Sequence, residues 1–122
     1  MKTSNQVEVI VFKQVPGACS RFLMLKRTPE KGSFWQPITG NVEVEESFEE
    51  AAIRELKEET GISEILRLID TDYAYEFFDN NRKKTERVYG AEISPEKEVM
   101  LSAEHTEYAW VSEDEAINKY LK

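Results

Sequence analysis

Three glutamates with helical spacing are the residues of this 122-residue chain best suited to chemistry: Glu55, Glu58 and Glu59. Positions i, i+3 and i+4 share one face of an α-helix, so the three carboxylates gather within several ångströms of one another. At a surface-like dielectric, two like charges 4 Å apart repel by about 4 kcal/mol. Carboxylate oxygens are ligands for hard cations such as Mg²⁺ or Mn²⁺, which often bridge to phosphates. The spacing therefore indicates a divalent-cation site.

A solvated helix face is the competing interpretation of the same residues. Pairs at i,i+4 such as Glu50–Arg54 and Arg54–Glu58 would stabilise an exposed helix without any ligand. Charge patterns of this kind are common on exposed helices, so the helix alone favours the solvated face. The sequence around the helix is needed to distinguish a divalent-cation site from a solvated helix face.

The elements that position these acids follow from local signals. Ser47 and Glu50 form a capping-box pattern, and Gly61 suits a left-handed helix end. These limits predict a helix from Phe48 to Thr60. Its inward-facing stripe is predicted to contain Phe48, Ala52, Ile53 and Leu56.

Alternating apolar runs on both sides of this helix predict strands. A turn is predicted at 79–81, a loop at 40–46, and a C-terminal helix from Ser112, with its own capping box, to Tyr120. Strands around one long helix predict a single α/β domain over residues 1–122, a sandwich with mixed strand pairing. The predicted strands are 7–12, 21–27, 65–69, 73–78, 86–93 and 108–111, the first two forming a hairpin-like pair.

Composition and charge limit the classes of function. The formal net charge of −8 argues against bulk DNA or RNA binding, which needs a basic surface. Cys19 is the single cysteine, so no intramolecular disulfide forms, and a reducing cytoplasmic location is expected. The apolar stretch at 7–12 is too short and too alternating for a signal peptide or a membrane span. An acidic chain can still bind a polyphosphate when cations lie between them.

The segment around the helix resembles a known family signature. It runs from Gly40 through Glu46 to Arg54-Glu55-Leu56-Lys57-Glu58-Glu59-Thr60-Gly61-Ile62. This resembles the Nudix box, G-x5-E-x7-R-E-U-x-E-E-x-G-U with U aliphatic, at every specified position and without a gap. The resemblance covers residues 40–62 and implies the Nudix fold, an α/β/α sandwich with a mixed sheet and a loop-helix-loop box. It also implies Mg²⁺-dependent hydrolysis of a phosphoanhydride by metal-activated water, with Mn²⁺ as the alternative ion.

Site roles follow from the resemblance position by position. The implied metal ligands are Glu55, Glu58 and Glu59, with the carbonyl of Thr39, where Gly40 permits a close approach of the backbone. Arg54 would orient the glutamates, and Glu46 would brace the loop. A fourth carboxylate often lies outside the box, and Glu104 is the candidate for metal ligand or general base. Glu107 or a box glutamate such as Glu58 is the alternative base.

Short runs elsewhere resemble one branch of this family, the dihydroneopterin-triphosphate pyrophosphatases, which also act on dATP and other nucleoside triphosphates. These runs are Phe34-Trp35-Gln36, Met24-Leu25-Lys26-Arg27 and Glu104-His105. By analogy, Arg27 would contact phosphate and Thr39 would bind substrate. Trp35 would either stack on a base or pack in the core.

Other aromatic and histidine positions are expected to be structural. Tyr75 and Phe77 alternate on one strand and are predicted to be core residues. His105 is the only histidine, so no histidine-rich metal site or Ser-His-Asp arrangement is available, and a structural or exposed role is predicted.

Several functions remain open at this point. A dinucleoside polyphosphate hydrolase, such as a diadenosine tetraphosphate hydrolase, ranks second. A non-catalytic nucleotide-binding Nudix domain and a simple divalent-cation-binding protein rank lower, because the box acids are intact and no EF-hand loop is present. The expected binding partner is a nucleotide or nucleotide-like polyphosphate substrate, and no association with a membrane is expected. Members of the family often form homodimers, so a homodimer is also open.

Overall fold

The computed structural model describes residues 2–120, with side chains from residue 5 onward. A seven-stranded sheet is combined with one long helix and a short C-terminal helical segment. The strands are β1 Lys2–Lys13, β2 Arg21–Arg27, β3 Trp35–Gln36, β4 Ile38–Glu43, β5 Arg67–Asp79, β6 Arg82–Glu92 and β7 His105–Val111. The helices are α1 Phe48–Thr60 and α2 Glu113–Glu115, which continues as a π-helical turn over Ala116–Tyr120; a 3-10 turn spans Pro29–Lys31.

The sheet is mixed, as the sequence predicts. Its main order is β3-β2-β1-β6-β5, with β4 paired to β1 and β7 paired to β2. The β1–β6 pair is parallel, and the remaining pairs are antiparallel. The predicted hairpin-like pair of β1 and β2 is present, with Phe12 opposite Phe22. The first half of β1 pairs instead with β4, which brings the start of the box into the sheet.

The two helical segments cover opposite faces of the sheet. Leu23 and Leu25 belong to the larger core cluster, which includes Leu56 of α1. Met24 belongs to a second cluster with Ala116 of the C-terminal segment. Since successive strand residues point to opposite faces, this alternation gives helix, sheet and helix layers. The α/β/α sandwich expected from the sequence is therefore observed. Within residues 2–120, no helix is long and apolar enough to cross a membrane.

Helix α1 begins and ends where the sequence predicts. Ser47 Oγ accepts from the Glu50 amide while the Glu50 side chain accepts from the Ser47 amide, and Gly61 closes the helix at φ 76°. The predicted apolar stripe is wrong at Ile53, which is 43% exposed. Ala51 is buried in its place, because α1 is rolled so that Ala51, Ala52 and Leu56 face the sheet.

Two backbone predictions were wrong. The loop expected at 40–46 is strand as far as Glu43, because Gly40 pairs with Val7 of β1. The two strands expected at 65–69 and 73–78 form one strand, β5, with a register shift between Asp70 and Tyr73. The turn at 79–81 is confirmed: Asn80 and Asn81 adopt φ of 53° and 62°, as a tight two-residue hairpin turn requires.

The core prediction for the β5 aromatics was also wrong. Tyr75 is 38% exposed and Phe77 is half-buried. Their rings form a row with Tyr73 along the sheet, with centroids 5.8 and 6.1 Å apart. β5 is an edge strand, and neither core cluster extends to these three aromatic residues, although Leu68 of the same strand packs against the larger cluster.

Candidate active site

A cleft of about 420 Å³ lies along one side of α1 and β4. All four carboxylates singled out as metal ligands line this cleft, and three basic side chains line it with them. The acids are Glu55, Glu58, Glu59 and Glu104, and the basic residues are Arg27, Lys31 and Arg54. The structure therefore brings together acids for a cation and basic groups for phosphate.

The strand β4 sets the backbone of the box directly against the helix. A Cβ atom built on Gly40 would lie 2.1 Å from Cδ of Glu55, closer than any side chain permits. Thr39 and Gly40 line the cleft beside Glu55. Glycine at this position is therefore what allows the Glu55 carboxyl group to lie against the strand.

Arg54 connects the loop, the helix and β4. Its Nε and Nη2 donate to Glu46 at 2.7 and 3.0 Å, and Nη2 also donates to the carbonyl of Asn41 at 2.8 Å. Its Nη1 donates to Glu55 at 2.9 Å and to Glu58 at 3.2 Å. The predicted Arg54–Glu58 pair is thus present, and Glu46 braces the loop as the resemblance implies. Glu50 caps the helix instead of pairing with Arg54.

The three helix acids differ in their surroundings. Glu55 and Glu59 are buried, whereas the Glu58 side chain is 56% exposed. Burial raises the pKa of Glu55 to about 7, although its hydrogen bond from Arg54 acts in the opposite direction. Burial also raises the pKa of Glu59, with Glu104 and Glu58 adding to the effect, while the Ser102 hydroxyl opposes it. Burial therefore disfavours the ionised form of both acids.

The donor set matches the requirements of Mg²⁺ or Mn²⁺. The carboxylates that line the cleft offer oxygen atoms, which hard cations prefer, and Thr39, whose carbonyl is the expected further ligand, lines the same cleft. Among residues 2–120, no three acidic, cysteine or histidine side chains already surround a common point at ligand distance. Arg54 draws Glu55 and Glu58 toward itself, and Ser102 holds Glu59. Side-chain rotations are thus needed to bring these acids around one ion.

The alternative general bases lie in different places. Glu104 lines the cleft, and its carbonyl accepts from the Thr28 amide at 3.3 Å. Glu107 pairs with Lys26 at 3.5 Å and does not line the cleft. This separation favours Glu104 as the fourth carboxylate.

Of the three predicted substrate-binding residues, Arg27 and Thr39 line the cleft and Trp35 does not. Arg27 lines the cleft, and its buried Nε has no hydrogen-bond partner. Trp35 is not among the residues lining the cleft: its ring packs edge-on against Tyr120 at 5.0 Å, in the smaller core cluster. Of the two roles left open for Trp35, the structure shows core packing.

Sequence reasoning missed several residues of the site. Gln6 and Lys31 line the cleft, and no motif marks them, because strand order and a short turn bring them there. Gln36 also lines the cleft; it belongs to the run Phe34-Trp35-Gln36, but no site role was predicted for it. Ser102 donates to Glu59 at 2.6 Å, and His105 is buried beside the same carboxylate. The available signal for this pair was their position on either side of Glu104.

Comparison with known proteins gives similarities over most of the chain. Escherichia coli (strain K12) dihydroneopterin triphosphate diphosphatase is 35% identical over 123 residues, 90% of this chain and 79% of that protein. The structure of the E. coli dihydroneopterin triphosphate pyrophosphohydrolase superposes with a TM-score of 0.73 at 29% identity, covering 90% of this chain and 81% of that one.

A Myxococcus xanthus octanoyltransferase is 36% identical over 107 residues, 84% of this chain. The match spans only 29% of the length of that protein. The sequence model of the NUDIX domain family matches residues 5–122, which contain the whole cleft and the box acids. The chain therefore belongs to the Nudix family and is a Nudix hydrolase.

Proposed function

We propose that the chain is a Mg²⁺-dependent pyrophosphohydrolase of a nucleoside-triphosphate-like substrate, either dihydroneopterin triphosphate or dATP and related nucleotides. One observation carries the proposal: four carboxylates and the basic residues Arg27 and Lys31 line the same cleft. Acids alone would bind a cation, and basic groups alone would bind an anion. Their combination suits a polyphosphate that reaches the acids through a divalent ion. The similarity to dihydroneopterin triphosphate diphosphatase supports this substrate class.

The metal site is assigned to Glu55, Glu58 and Glu59, with the carbonyl of Thr39 and with Glu104, which lines the same cleft. The bound ion supplies charge neutralisation at the phosphates and makes water a better nucleophile. Arg54 keeps Glu55 and Glu58 oriented through hydrogen bonds that its Nη1 donates to both carboxylates. Gly40 and Thr39 bring the β4 backbone to the same point.

Substrate contacts come from the basic side of the cleft. The Arg27 guanidinium, whose Nε has no hydrogen-bond partner among the described residues, is the candidate contact for a phosphate oxygen, and Lys31 of the 3-10 turn lines the same cleft. Thr39 offers its side chain as well as its carbonyl. Glu104 accepts the proton of the attacking water, with Glu58 as the alternative base. Water attacks phosphorus in line while the phosphoanhydride bond on the opposite side breaks and the phosphate or nucleotide group leaves. Because water is the nucleophile, no covalent enzyme intermediate forms.

The experiment is a substrate panel assayed with Mg²⁺ and with Mn²⁺, in which both phosphate and pyrophosphate release are measured. The panel contains dihydroneopterin triphosphate, dATP, the other nucleoside triphosphates, ADP-ribose and diadenosine tetraphosphate. Pyrophosphate released from a triphosphate supports the proposal. Each reaction is repeated with excess chelator, which should abolish the release.

Three outcomes contradict the proposed function. ATP released from diadenosine tetraphosphate, with triphosphates left intact, assigns the chain to dinucleoside polyphosphate hydrolysis. Binding of nucleotide without turnover of any compound, with either metal, assigns a non-catalytic nucleotide-binding domain. Binding of the metal alone would leave only a divalent-cation-binding protein.

A further inference from the structure

The only histidine of the chain is buried against one of the proposed metal ligands. His105 opens β7 and is 7% exposed. Its Nδ1 lies 3.5 Å from Oε2 of Glu59, and neither ring nitrogen has a hydrogen-bond partner among the described residues. A buried polar group without a partner lowers stability, and an apolar side chain of similar size would not incur this penalty. The position therefore suggests a role other than packing.

The segment 102–105 approaches Glu59 from both sides of its carboxyl group. Ser102 Oγ donates to Oε1 of Glu59 at 2.6 Å, while the His105 ring faces Oε2. The segment is itself tied together, since the amides of Glu104 and His105 donate to Ser102 Oγ at 3.3 Å and to the Ser102 carbonyl at 3.4 Å. Glu104 is thus presented to the cleft by the same segment whose Ser102 and His105 face Glu59.

We propose that His105 is a positioning residue: from its 3.5 Å approach to Oε2 of Glu59, a small adjustment of the ring lets Nδ1–H donate to that oxygen while Ser102 holds Oε1. The inference rests on the proposed function, in which Glu59 and Glu104 serve one metal site. Fixing both oxygens sets the plane of the Glu59 carboxyl group. It also fixes the distance between α1 and the segment that carries Glu104. Partners of this kind, one step behind a ligand, orient it and affect metal affinity.

The surroundings of the ring are consistent with a neutral imidazole. Burial lowers the pKa of His105, and Arg27, its partner in the β2–β7 register, lowers it further, while Glu104 acts in the opposite direction. A neutral ring carries one proton, so the proposal requires that proton to be on Nδ1. The position of the proton is directly measurable.

Nitrogen NMR of the imidazole tests the proposal without substrate or metal. Because the chain has one histidine, tag-free ¹⁵N-labelled protein in chelator gives a single pair of ring-nitrogen signals. We expect the neutral ring to be protonated at Nδ1. We also expect this preference to be lost in Glu59→Met, which removes the acceptor and keeps the side-chain length. A proton on Nε2 in the wild type, or the same spectrum in Glu59→Met, would overturn the proposal.

A set of His105 variants tests the effect on the metal site. Asparagine can place a donor near the position of Nδ1, glutamine near that of Nε2, and leucine offers none. We expect His105→Leu and His105→Gln to weaken Mn²⁺ affinity, measured by EPR, roughly tenfold. His105→Asn should keep most of the wild-type Mn²⁺ affinity. Across the variants, kcat should decrease together with the Mn²⁺ affinity, while KM for substrate should change little. Circular dichroism and thermal melting confirm that each variant is folded.

The positioning role would be contradicted if His105→Leu bound Mn²⁺ as tightly as the wild type. It would also be contradicted if His105→Asn and His105→Gln lost equal amounts of Mn²⁺ affinity. These measurements are separable from the proposed function. If no compound of the substrate panel is turned over, the proposed function fails, whereas the proton position and the Mn²⁺ affinities can still be measured on the same protein.

Discussion

At the scale of single residues, Glu104 and Glu107 form a natural pair for comparison. Only Glu104 lines the cleft, whereas Glu107 pairs with Lys26 outside it. We expect Glu104→Gln to lower kcat by about 10²–10⁴-fold, the usual contribution of a general base. Glu107→Gln should change kcat less than twofold. The reverse pattern, measured by steady-state kinetics with both proteins folded, would assign the base to Glu107.

The buried Glu55 predicts a pH dependence of stability. Its pKa rises from 4.5 to about 7 on folding, so the folded chain retains a proton that the unfolded chain has lost over this interval. Stability from this group therefore decreases as pH rises from 4.5 to 7 and is constant above 7. The shift corresponds to about 3 kcal/mol at most.

Glu55→Gln, which cannot ionise, isolates this effect. In chelator, the variant should gain stability relative to the wild type as pH rises through this interval, measured by urea unfolding. A stability difference that stays constant from pH 4.5 to 7 would show that Glu55 has no raised pKa in the folded chain.

Residue identities predicted the cluster of helix glutamates in the cleft better than the residues around it. Glu55, Glu58 and Glu59 could be placed on one face because helix geometry fixes the relation of i, i+3 and i+4. The roles of Trp35 and His105 could not be predicted, since each depends on a residue distant in the chain. Trp35 packs on Tyr120, and His105 faces Glu59.

At the scale of elements, the contact between β4 and α1 depends on Gly40. A Cβ atom there would collide with Cδ and Cγ of Glu55 at 2.1 and 2.6 Å. We expect Gly40→Ala to cost about 1–3 kcal/mol of stability, as overpacking does, and to reduce Mg²⁺-dependent turnover strongly.

Gly90→Ala is the matched control, because its Cβ would meet only Phe12 and Ile69 at ordinary distances of 3.6 Å or more. Chemical unfolding and kinetics of the two variants test the contact. Equal losses of stability and of turnover in Gly40→Ala and Gly90→Ala would contradict the role assigned to Gly40.

Elements defined by local signals could be predicted, and those defined by pairing could not. The bounds of α1 followed from the capping box and Gly61. β4 was predicted as loop because its strand character comes from pairing with β1, which precedes it by more than thirty residues, as in Val7–Gly40. β5 was predicted as two strands that end at Ile69 and begin again at Tyr73. The gap coincides with an irregularity at Asp72, φ 60°, beyond which the pairing with β6 continues.

At the scale of the whole molecule, a net charge of −8 and buried acids in the cleft predict stabilisation by divalent cations. An ion that binds only the folded chain adds about 2.7 kcal/mol when its concentration is 100 times its Kd. We expect Mg²⁺ to raise the melting temperature, and Glu59→Gln to lose most of this increase. Equal stabilisation by NaCl at matched ionic strength would show that screening is the whole effect.

The most direct test of the central claim is turnover of the best panel substrate by Glu59→Gln with saturating Mg²⁺. The control is Glu49→Gln, a change to an exposed acid in the first turn of the same helix. Loss of several kcal/mol of charge stabilisation predicts a rate roughly 10³-fold below wild type for Glu59→Gln. Glu49→Gln should retain the wild-type rate. A wild-type rate in folded Glu59→Gln would contradict the assignment of the α1 acids to the metal.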